Sequence, residues 1–334
     1  MARFSEVLKI INGKNQTKVE NPNGKYPIYG SGGIMGYADD YICNSDTVII
    51  GRKGSINKPI FVETPFWNVD TAFGLEANRE KLIPKYLFYF CQNFDFEKLN
   101  TTVTIPSLTK ANLLDVEIPL VSIKEQEKIV NRLEKVDELI SCRKEQLLKL
   151  DELVKARFVE MFGGKGYPVL KWNDVFNTTT GKLDSNAMVE NGKYPFFTCA
   201  KEVFRIDKYA FDQEALLLAG NNAAGKYDVK YYKGKFNAYQ RTYVLGLKQN
   251  WSYQLFKYQL EDKLIYLQQQ SLGGLTKYLT LKILGELEFI VPPMSEQNKF
   301  AAFVEQTEKT KAEVQKSLDE LEILKKSLMQ KYFG

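Results

Sequence analysis

The pentapeptide Asn23-Gly24-Lys25-Tyr26-Pro27 occurs a second time, unchanged, as Asn191-Gly192-Lys193-Tyr194-Pro195, which lies 168 residues further along the chain. The same offset aligns other segments on both sides of it: Val7 with Val175, Gly13-Lys14 with Gly181-Lys182, and Val48-Ile49-Ile50 with Leu216-Leu217-Leu218. Self-similarity at a fixed offset is the sequence signature of a repeated structural unit. The chain is therefore predicted to contain two copies of one unit.

Towards the end of each copy the offset changes to 171, because the second copy contains three extra residues. This offset aligns three further pairs: Leu108-Thr109 with Leu279-Thr280, Glu125-Gln126 with Glu296-Gln297, and Phe162-Gly163 with Phe333-Gly334. The sequence thus predicts the order module, arm, module, arm, with copy boundaries near Gly163 and at Gly334. A pseudo-two-fold axis is expected to relate the two halves.

The modules, residues 1–122 and 164–294, are rich in β-forming residues and contain turn signals such as Gly30-Ser31-Gly32-Gly33. The pattern predicts two buried strands and two helical stretches: Thr47–Ile50, Ala215–Leu218, Pro84–Asn93 and Tyr253–Gln269. We therefore predict an α+β fold, in which two pseudo-symmetric α/β domains are separated by two long helices that pair as an antiparallel coiled coil.

The arms, residues 123–163 and 295–334, are predicted as long helices, with Ser122 and Ser295 as N-caps. Apolar residues recur along them at alternating steps of three and four, which forms a coiled-coil seam: Ile129, Leu133, Val136, Ile140, Leu147, Leu150, Val154 and Met161, then Phe300, Val304, Val314, Leu318, Leu321, Leu328 and Tyr332. Polar residues interrupt the seam at Arg143, Arg157, Thr307, Lys311 and Lys325. Antiparallel pairing would place Glu313 opposite Arg143 and the modules at opposite ends.

Composition argues against an enzyme. The 334 residues include no histidine, which excludes imidazole general bases, Ser-His triads and histidine metal sites. Val291-Pro292-Pro293-Met294 lacks the amide or acid that precedes the prolines in an adenine methyltransferase motif. The four cysteines, at positions 43, 91, 142 and 199, are widely separated and are interpreted as reduced thiols. No apolar run approaches the ~20 residues of a membrane span, and no signal peptide is recognised, so a cytoplasmic location is expected.

Basic and amide side chains near predicted turns are the candidate DNA contacts. Gly51-Arg52-Lys53-Gly54-Ser55 lacks the spacing of an ATP-binding phosphate loop but suits a turn that meets DNA. Gly30–Gly33, Thr104–Lys110 and Ser271–Lys277 are further polar loops suited to backbone contacts. The predicted DNA-binding residues are Lys14, Ser31, Arg52, Lys53, Ser55, Lys110, Lys182, Asn221, Asn222, Lys226, Lys230, Lys233, Arg241 and Lys277.

Each candidate also has a purely structural interpretation. The turn at Arg52 is equally consistent with a solvated hairpin, and Asn222 with a turn former. The basic and aromatic stretch around Tyr231, Tyr232 and Tyr239 is consistent with an exposed hairpin whose tyrosines face the core. The net charge of +5 lies wholly within residues 164–294 and is too small to establish DNA binding by itself.

Over its full length the chain resembles the specificity (S) subunit of type I restriction-modification systems. The resemblance rests on the doubled order of modules and arms, in which each arm opens with a proline-bearing segment and a Glu-Gln pair, at Pro119 to Gln126 and Pro292 to Gln297, and ends in Phe-Gly. It implies a non-catalytic protein that reads a bipartite, asymmetric DNA site, each module taking one half-site.

The resemblance also implies partners. Two methyltransferase (M) subunits would dock on the chain and methylate adenine with S-adenosylmethionine, and restriction and motor (R) subunits would join for cleavage. The chain itself is then expected to bind double-stranded DNA and to hold no metal or cofactor, because S-adenosylmethionine and ATP belong to the partners. A coiled-coil adaptor that bridges two proteins without touching DNA is the main alternative, and an enzyme of unknown type is the third.

Overall fold

The computed structural model describes residues 1–53, 55–99, 107–223 and 225–334. These residues form two compact units. Unit 1 comprises residues 1–146 and 314–334, and unit 2 comprises residues 147–313. Gly54, Ala224 and residues 100–106 lie outside the described residues, and so does the Thr104–Pro106 part of one predicted contact loop.

Unit 1 begins with a mixed α/β arrangement that ends in a long helix. Its elements are β1 Ala2–Arg3, α1 Phe4–Val7, β2 Leu8–Asn12, β3 Tyr26–Gly30, β4 Gly33–Ala38, β5 Thr47–Gly51, β6 Ile60–Val62, β7 Trp67–Asn68, β8 Ala72–Ala77, α2 Pro84–Asn93, a 3₁₀ helix Phe96–Leu99, α3 Lys110–Leu114, β9 Glu117–Ile118 and α4 Ile123–Phe162. Helix α4 ends in unit 2. The predicted helix Pro84–Asn93 is confirmed, with proline at its first position, where no backbone donor is needed.

Most described strands of unit 1 form two sheets, and β1 and β9 pair separately. One has the strand order β2-β8-β5-β6 and is antiparallel throughout, whereas the other has the order β4-β3-β7 with a parallel β3–β7 pair. Every residue of β5 is buried, as predicted for Thr47–Ile50. Its Val48 and Ile50 side chains share one core with α2, which contributes Tyr86, Leu87 and Phe90, whereas Ile49 packs in a separate cluster.

Unit 2 repeats the order of unit 1 with longer strands. Its elements are β10 Val169–Lys171, α5 Trp172–Val175, β11 Phe176–Thr180, a 3₁₀ helix Ser185–Ala187, β12 Tyr194–Phe197, β13 Phe204–Ile206, β14 Phe211–Ala219, β15 Asn221–Asn222, β16 Val229–Ala238, β17 Thr242–Leu247, α6 Tyr253–Asp262, α7 Leu264–Gln270, β18 Lys277–Tyr278, α8 Leu281–Gly285, β19 Glu288–Ile290 and α9 Met294–Phe333. The buried strand and the helical stretch predicted here are confirmed, the latter as two helices with a break at Lys263.

One long strand distinguishes the sheet of unit 2 from those of unit 1. The order is β11-β17-β14-β16-β12-β13 in a single six-stranded sheet. Strand β16 pairs antiparallel with β14 and parallel with β12, so it takes the places that β6 and β7 hold separately in unit 1. The duplicated sequence therefore builds the same pairing scheme from two short strands in one unit and one continuous strand in the other.

Each arm is fixed to its module by the glutamine of its Glu-Gln pair. Gln126 is buried; its Oε1 accepts a hydrogen bond from the backbone N–H of Ile83 at 2.8 Å, and its Nε2 donates to the Val121 carbonyl at 2.9 Å. Gln297 is also buried, accepts from the N–H of Ser252 at 2.9 Å and donates to the Pro292 carbonyl at 2.8 Å. Both amides thus tie the start of an arm to the residue that precedes the first turn of α2 or α6.

The two arms run antiparallel where they meet. In unit 1 the Arg132 guanidinium donates to the Tyr332 hydroxyl at 3.1 Å, and Lys144 pairs with Glu322 at 3.2 Å, so rising numbers on α4 meet falling numbers on α9. In unit 2 Lys311 pairs with Asp151 at 2.8 Å. The predicted seam residues are all buried or half-buried, which confirms the antiparallel pairing of two long helices.

The Phe-Gly end of each arm packs in the core of the other unit: the first arm begins in unit 1 and ends in unit 2, and the second begins in unit 2 and ends in unit 1. In unit 1 the Phe333 ring contacts the Tyr86 ring of α2 at a centroid distance of 5.0 Å. In unit 2 Phe162 shares a core cluster with Leu255 of α6. Each unit is therefore closed by the start of its own arm and the end of the other.

The first arm has a serine N-cap and the second does not. Ser122 precedes α4, and its Oγ accepts from the Glu125 N–H at 3.3 Å, as predicted. The prediction for Ser295 is wrong, because α9 already begins at Met294 and the Pro293 carbonyl accepts from the N–H groups of Glu296 and Gln297. The offset of 171 indeed aligns Ser122 with Pro293.

Ser122→Ala should therefore lower the free energy of unfolding by about 0.5–2 kcal/mol, because an exposed first turn loses its side-chain acceptor. Ser295→Ala is the matched control and should leave stability within about 0.5 kcal/mol of the parent. Chemical denaturation of the full chain measures both. Equal losses in the two variants would contradict the capping role of Ser122.

Candidate nucleic-acid interface

Four predicted contact residues of unit 1 lie around the end of β5: Ser31, Arg52, Lys53 and Ser55. Gly51 lies so close to Ser31 and Ser55 that a Cβ on it would be 3.0 Å from the Ser31 Cβ and 2.7 Å from the Ser55 carbonyl oxygen. Arg52 follows directly; it is exposed and its guanidinium lies 5.8 Å from the centre of the Phe73 ring. Lys53, also exposed, forms a β-bridge with Ser107. The turn thus presents one guanidinium and one ammonium group between two serines.

Lys14 belongs to the same region through its backbone. Its N–H donates to the Asn68 carbonyl at 2.8 Å, and the preceding Gly13 donates to the Ala72 carbonyl at 3.2 Å. This turn between β7 and β8 also accepts, at the Thr71 carbonyl, the N–H of Arg52 at 2.7 Å. Lys110 is exposed at the first position of α3, with no described contact to the turn at Arg52.

Each unit has an equivalent backbone hydrogen bond next to its candidate arginine. The arginine is the donor in unit 1 and the acceptor in unit 2. In unit 1 the Arg52 N–H donates to the Thr71 carbonyl, whereas in unit 2 the Gly220 N–H donates to the Arg241 carbonyl at 2.8 Å. The next connection is also equivalent, because Leu108 donates to the Arg52 carbonyl and Leu279 to the Gly220 carbonyl. Both units thus have an arginine at this backbone hydrogen bond, but Arg52 follows β5 and Arg241 precedes β17.

Unit 2 has an open cavity of about 400 Å³ at this position. It is lined by Thr180, Gly220, Asn221, Gln240, Arg241, Tyr243, Thr276, Tyr278 and Leu279. This set contains one guanidinium, two side-chain amides and no carboxylate. Among the described residues, no carboxylate forms an ion pair with the Arg241 guanidinium, which belongs to an exposed residue. Arginine and amide side chains are the groups that read base edges.

Other predicted residues of unit 2 surround this cavity. Asn221 and Asn222 form β15 and pair with Tyr278 and Lys277 of β18. The Asn222 Oδ1 accepts from the N–H of Lys226 at 3.2 Å, which fits its alternative interpretation as a turn former. Lys182 is exposed between Gly181 and Leu183, beside the turn that carries Arg241.

Two predicted lysines are already engaged with acids. Lys230 forms an ion pair with Asp228, donates to the Ala200 carbonyl at 2.9 Å and has a side chain only 16% exposed. Lys233 pairs with Glu214 at 3.2 Å, although its side chain is largely exposed. Contact with a phosphate would require Lys230 to break its ion pair, so the geometry favours Lys226 and Lys277 over Lys230 as phosphate ligands.

The tyrosines of the basic stretch are mostly structural. Tyr231 packs against the core beneath α6, and Tyr232 packs against the Phe197 and Phe236 cluster. Burial, with a hydrogen bond donated to Glu214, raises the pKa of Tyr231 to about 12. Burial likewise raises the pKa of Tyr243, whose hydroxyl donates to the Leu279 carbonyl at 3.0 Å. Both remain neutral donors at physiological pH, which supports the core interpretation for this stretch.

Sequence reasoning missed Gln240, Thr180 and Tyr278, which line the cavity beside Arg241. Gln240 precedes Arg241 directly, so the pair could have been proposed as an amide and guanidinium reading unit. Thr180 and Tyr278 come from segments about 100 residues apart, and no local pattern links them. All four cysteines are free thiols. Within the described ranges, no group of three acidic or cysteine side chains could hold a metal ion, and no helix is both long and apolar enough to cross a bilayer.

Comparison with known protein families shows the family to which the chain belongs. The family model described as the type I restriction modification DNA specificity domain matches the chain twice, over residues 1–152 and 165–323. The chain belongs to the type I specificity-subunit family. Specificity subunits are the non-catalytic components of type I restriction-modification complexes, and the two matches follow the two copies of the sequence repeat.

Curated and solved specificity subunits are similar to the chain. The EcoDI specificity subunit of Escherichia coli is 35% identical over 156 residues, which cover 45% of this chain and 34% of that protein. A putative type I specificity subunit of Haemophilus influenzae is 22% identical over 91% of this chain and 86% of its own length. The crystal structure of the S subunit from M. genitalium superposes with a TM-score of 0.70 at 18% identity, covering 100% of this chain and 95% of that one. The fold is thus that of a specificity subunit.

Proposed function

We propose that this specificity subunit reads a bipartite, asymmetric sequence in double-stranded DNA, with residues 1–122 reading one half-site and residues 164–294 the other. The supporting observation is that both units carry an exposed arginine on the same backbone framework, with different neighbours in each. A shared framework with different side chains suits two half-sites of unlike sequence, because base identity is read by side-chain groups at the base edges.

In this proposal the arms, residues 123–163 and 295–334, set the gap between the half-sites. In this proposal methyltransferase subunits carry S-adenosylmethionine and methylate adenine, and restriction subunits carry ATP and cleave DNA. The complex acts in the cytoplasm. The chain contributes sequence recognition alone, consistent with its lack of histidine.

The presence of two equivalent grooves supports the proposal that two methyltransferase subunits bind the chain. In unit 1 a groove of about 630 Å³ lies between the end of α2 and the arms and includes Asp137 and Lys325. In unit 2 a groove of about 650 Å³ lies between α6 and the arms and includes Val154 and Glu308. The offset of 171 aligns Asp137 with Glu308 and Val154 with Lys325. Equivalent surfaces on two halves of a duplicated chain suit two copies of one partner.

Methylation mapping in cells that express the chain with its methyltransferase partner tests this function. The expected result is adenine methylation at one sequence made of two unlike half-sites with a fixed gap. A gel-shift assay with the same complex separates it from the adaptor alternative: specific retardation of the mapped duplex supports DNA reading. Complex formation without any DNA retardation or sequence preference would establish the adaptor instead.

The gap should follow arm length. Inserting four residues after Glu145 and four after Lys316, which are equivalent positions, adds close to one helical turn to each arm, or about 6 Å. The mapped gap should then lengthen by about one to two base pairs, with both half-sites unchanged. Insertion into one arm alone is the control and should abolish activity, because the seam loses its register. An unchanged gap in an active double insertion would show that the arms do not set the spacing.

A further inference from the structure

Unit 2 carries a leucine that is almost completely exposed at the tip of a closed loop. Leu275 is 96% exposed. Its loop is closed by two hydrogen bonds between Leu272 and Tyr278, at 3.1 Å and 2.9 Å. At the tip Gly273 has a φ of +100°, and a Cβ there would come within 2.2 Å of the Thr276 carbonyl oxygen. The turn therefore requires glycine at position 273. The two hydrogen bonds between Leu272 and Tyr278 hold the loop that carries Leu275.

The same loop is part of the cavity that contains Arg241. Lys277 and Tyr278 pair with Asn222 and Asn221, and Thr276 and Tyr278 line the cavity. Leu275 thus lies next to a surface whose polar side chains are basic, amide or hydroxyl groups, without a carboxylate in the lining. A surface of this charge attracts a polyanion, so the occupant that it suits is DNA.

A single exposed leucine needs no explanation by itself, since such residues are common on protein surfaces. Its position beside Asn221, Gln240 and Arg241 is informative, because base pairs display one apolar group in the major groove, the methyl group of thymine. Amide groups suit adenine, a guanidinium suits guanine, and an aliphatic side chain suits the thymine methyl. The loop thus supplies the apolar contact that the other three residues lack.

We propose that Leu275 contacts the methyl group of a thymine in the half-site read by unit 2. The inference rests on the proposed function, which guarantees the ligand: a half-site that is methylated on adenine contains an A·T pair and hence a thymine. Leu275 would discriminate thymine from cytosine at that position, because cytosine has no methyl group for the leucine to cover.

The test compares thymine with uracil, which pairs identically but lacks the methyl group. The probes are duplexes of the methylated sequence mapped for the wild-type complex, in which each thymine of the second half-site is replaced by uracil in turn. Covering one methyl group contributes about 0.8 kcal/mol, which is about a fourfold difference in affinity. One uracil position should therefore weaken binding of the wild-type complex about three- to fourfold.

The variant Leu275→Ala in the full complex should bind the thymine and uracil duplexes equally at that position. Ile323→Ala is the matched control: this side chain is 69% exposed on the unit 1 part of α9 and is in the lining of neither groove, so its complex should keep the uracil penalty. A Leu275→Ala complex that retains the wild-type penalty at every position overturns the proposal. So does a uniform loss on all duplexes, which would identify a wedge between bases, or a loss of methyltransferase binding alone. A wild-type complex with no sequence preference overturns this proposal and the proposed function together.

Discussion

A fragment that ends at Gly163 should form an antiparallel homodimer and, with the methyltransferase partner, modify an inverted repeat of the first half-site. The fragment keeps one module and one arm, whose seam residues Ile129, Leu133, Val136, Ile140, Leu147, Leu150 and Val154 are buried or half-buried in the full chain. Full burial of each such side chain is worth on the order of 1.5–3 kcal/mol. Pairing with a second copy covers this stripe, and two-fold symmetry then requires a symmetric target.

The contacts of unit 1 show that the second copy can replace α9. The offset of 171 aligns Phe333 with Phe162 and Glu322 with Asp151. In the homodimer Phe162 of the second copy can therefore pack on Tyr86 as Phe333 does, and Asp151 can pair with Lys144 as Glu322 does. A less favourable exchange occurs at Leu328, which aligns with Arg157.

Arg143 would face the second copy in the homodimer, and the structure shows which kind of group it would meet there. The prediction that Glu313 faces it is wrong: the Arg143 Nε donates to the Ser317 Oγ at 3.2 Å. Ser317 aligns with Gln146, and the Gln146 Oε1 already accepts from Arg143 within the same helix at 2.9 Å. In the homodimer Arg143 therefore meets a neutral acceptor of the second copy.

Sedimentation of the fragment at micromolar concentration and methylation mapping of its complex give the two measurements. Ile140→Asp should make the fragment monomeric and inactive, because the carboxylate would be buried in the seam. Leu139→Asp is the matched control, since Leu139 is 48% exposed, and it should remain dimeric. A parent fragment that is strictly monomeric and inactive on every inverted repeat would contradict the pairing.

Arg52→Ala should weaken recognition of one half-site and Arg241→Ala recognition of the other. Removal of a base-edge contact costs about 1–3 kcal/mol, or roughly 5- to 150-fold in affinity, and relaxes the choice of base at one position. Both side chains are exposed, and no ion pair engages either guanidinium in the part of the chain that the structure describes. Each is thus available to DNA without a competing carboxylate.

Binding measurements on duplexes with a single changed base in either half-site assign each arginine. Arg79→Ala provides the control in unit 1, because Arg79 is paired with Asp46 at 2.8 Å and should leave both half-sites unaffected. A uniform loss with a smaller salt dependence would identify a phosphate contact. Either substitution weakening both half-sites equally would refute the assignment of one module to each half.

The sequence alone determined the architecture, because its strongest signals are repetition and periodicity. The recurrence of Asn23–Pro27 predicted the duplication, and the seam from Ile129 to Met161 predicted a long paired helix. These features depend on which residues are apolar and how they are spaced, which a linear chain displays. The helix Pro84–Asn93 was predictable for the same reason, since its apolar face and its proline start are both local.

Only the tertiary structure decided which side chains share a site. Arg52 and Arg241 lie on opposite partners of two equivalent backbone hydrogen bonds: Arg52 donates to Thr71 in unit 1, and Gly220 donates to Arg241 in unit 2. Neither of the two repeat offsets aligns the two arginines. The hydrogen bond from Lys230 to the Ala200 carbonyl, the Ser317 partner of Arg143 and the pairing of Tyr278 with Asn221 likewise depend on long-range register. Register is fixed by the packing of whole strands and helices against each other, so it is absent from any local pattern.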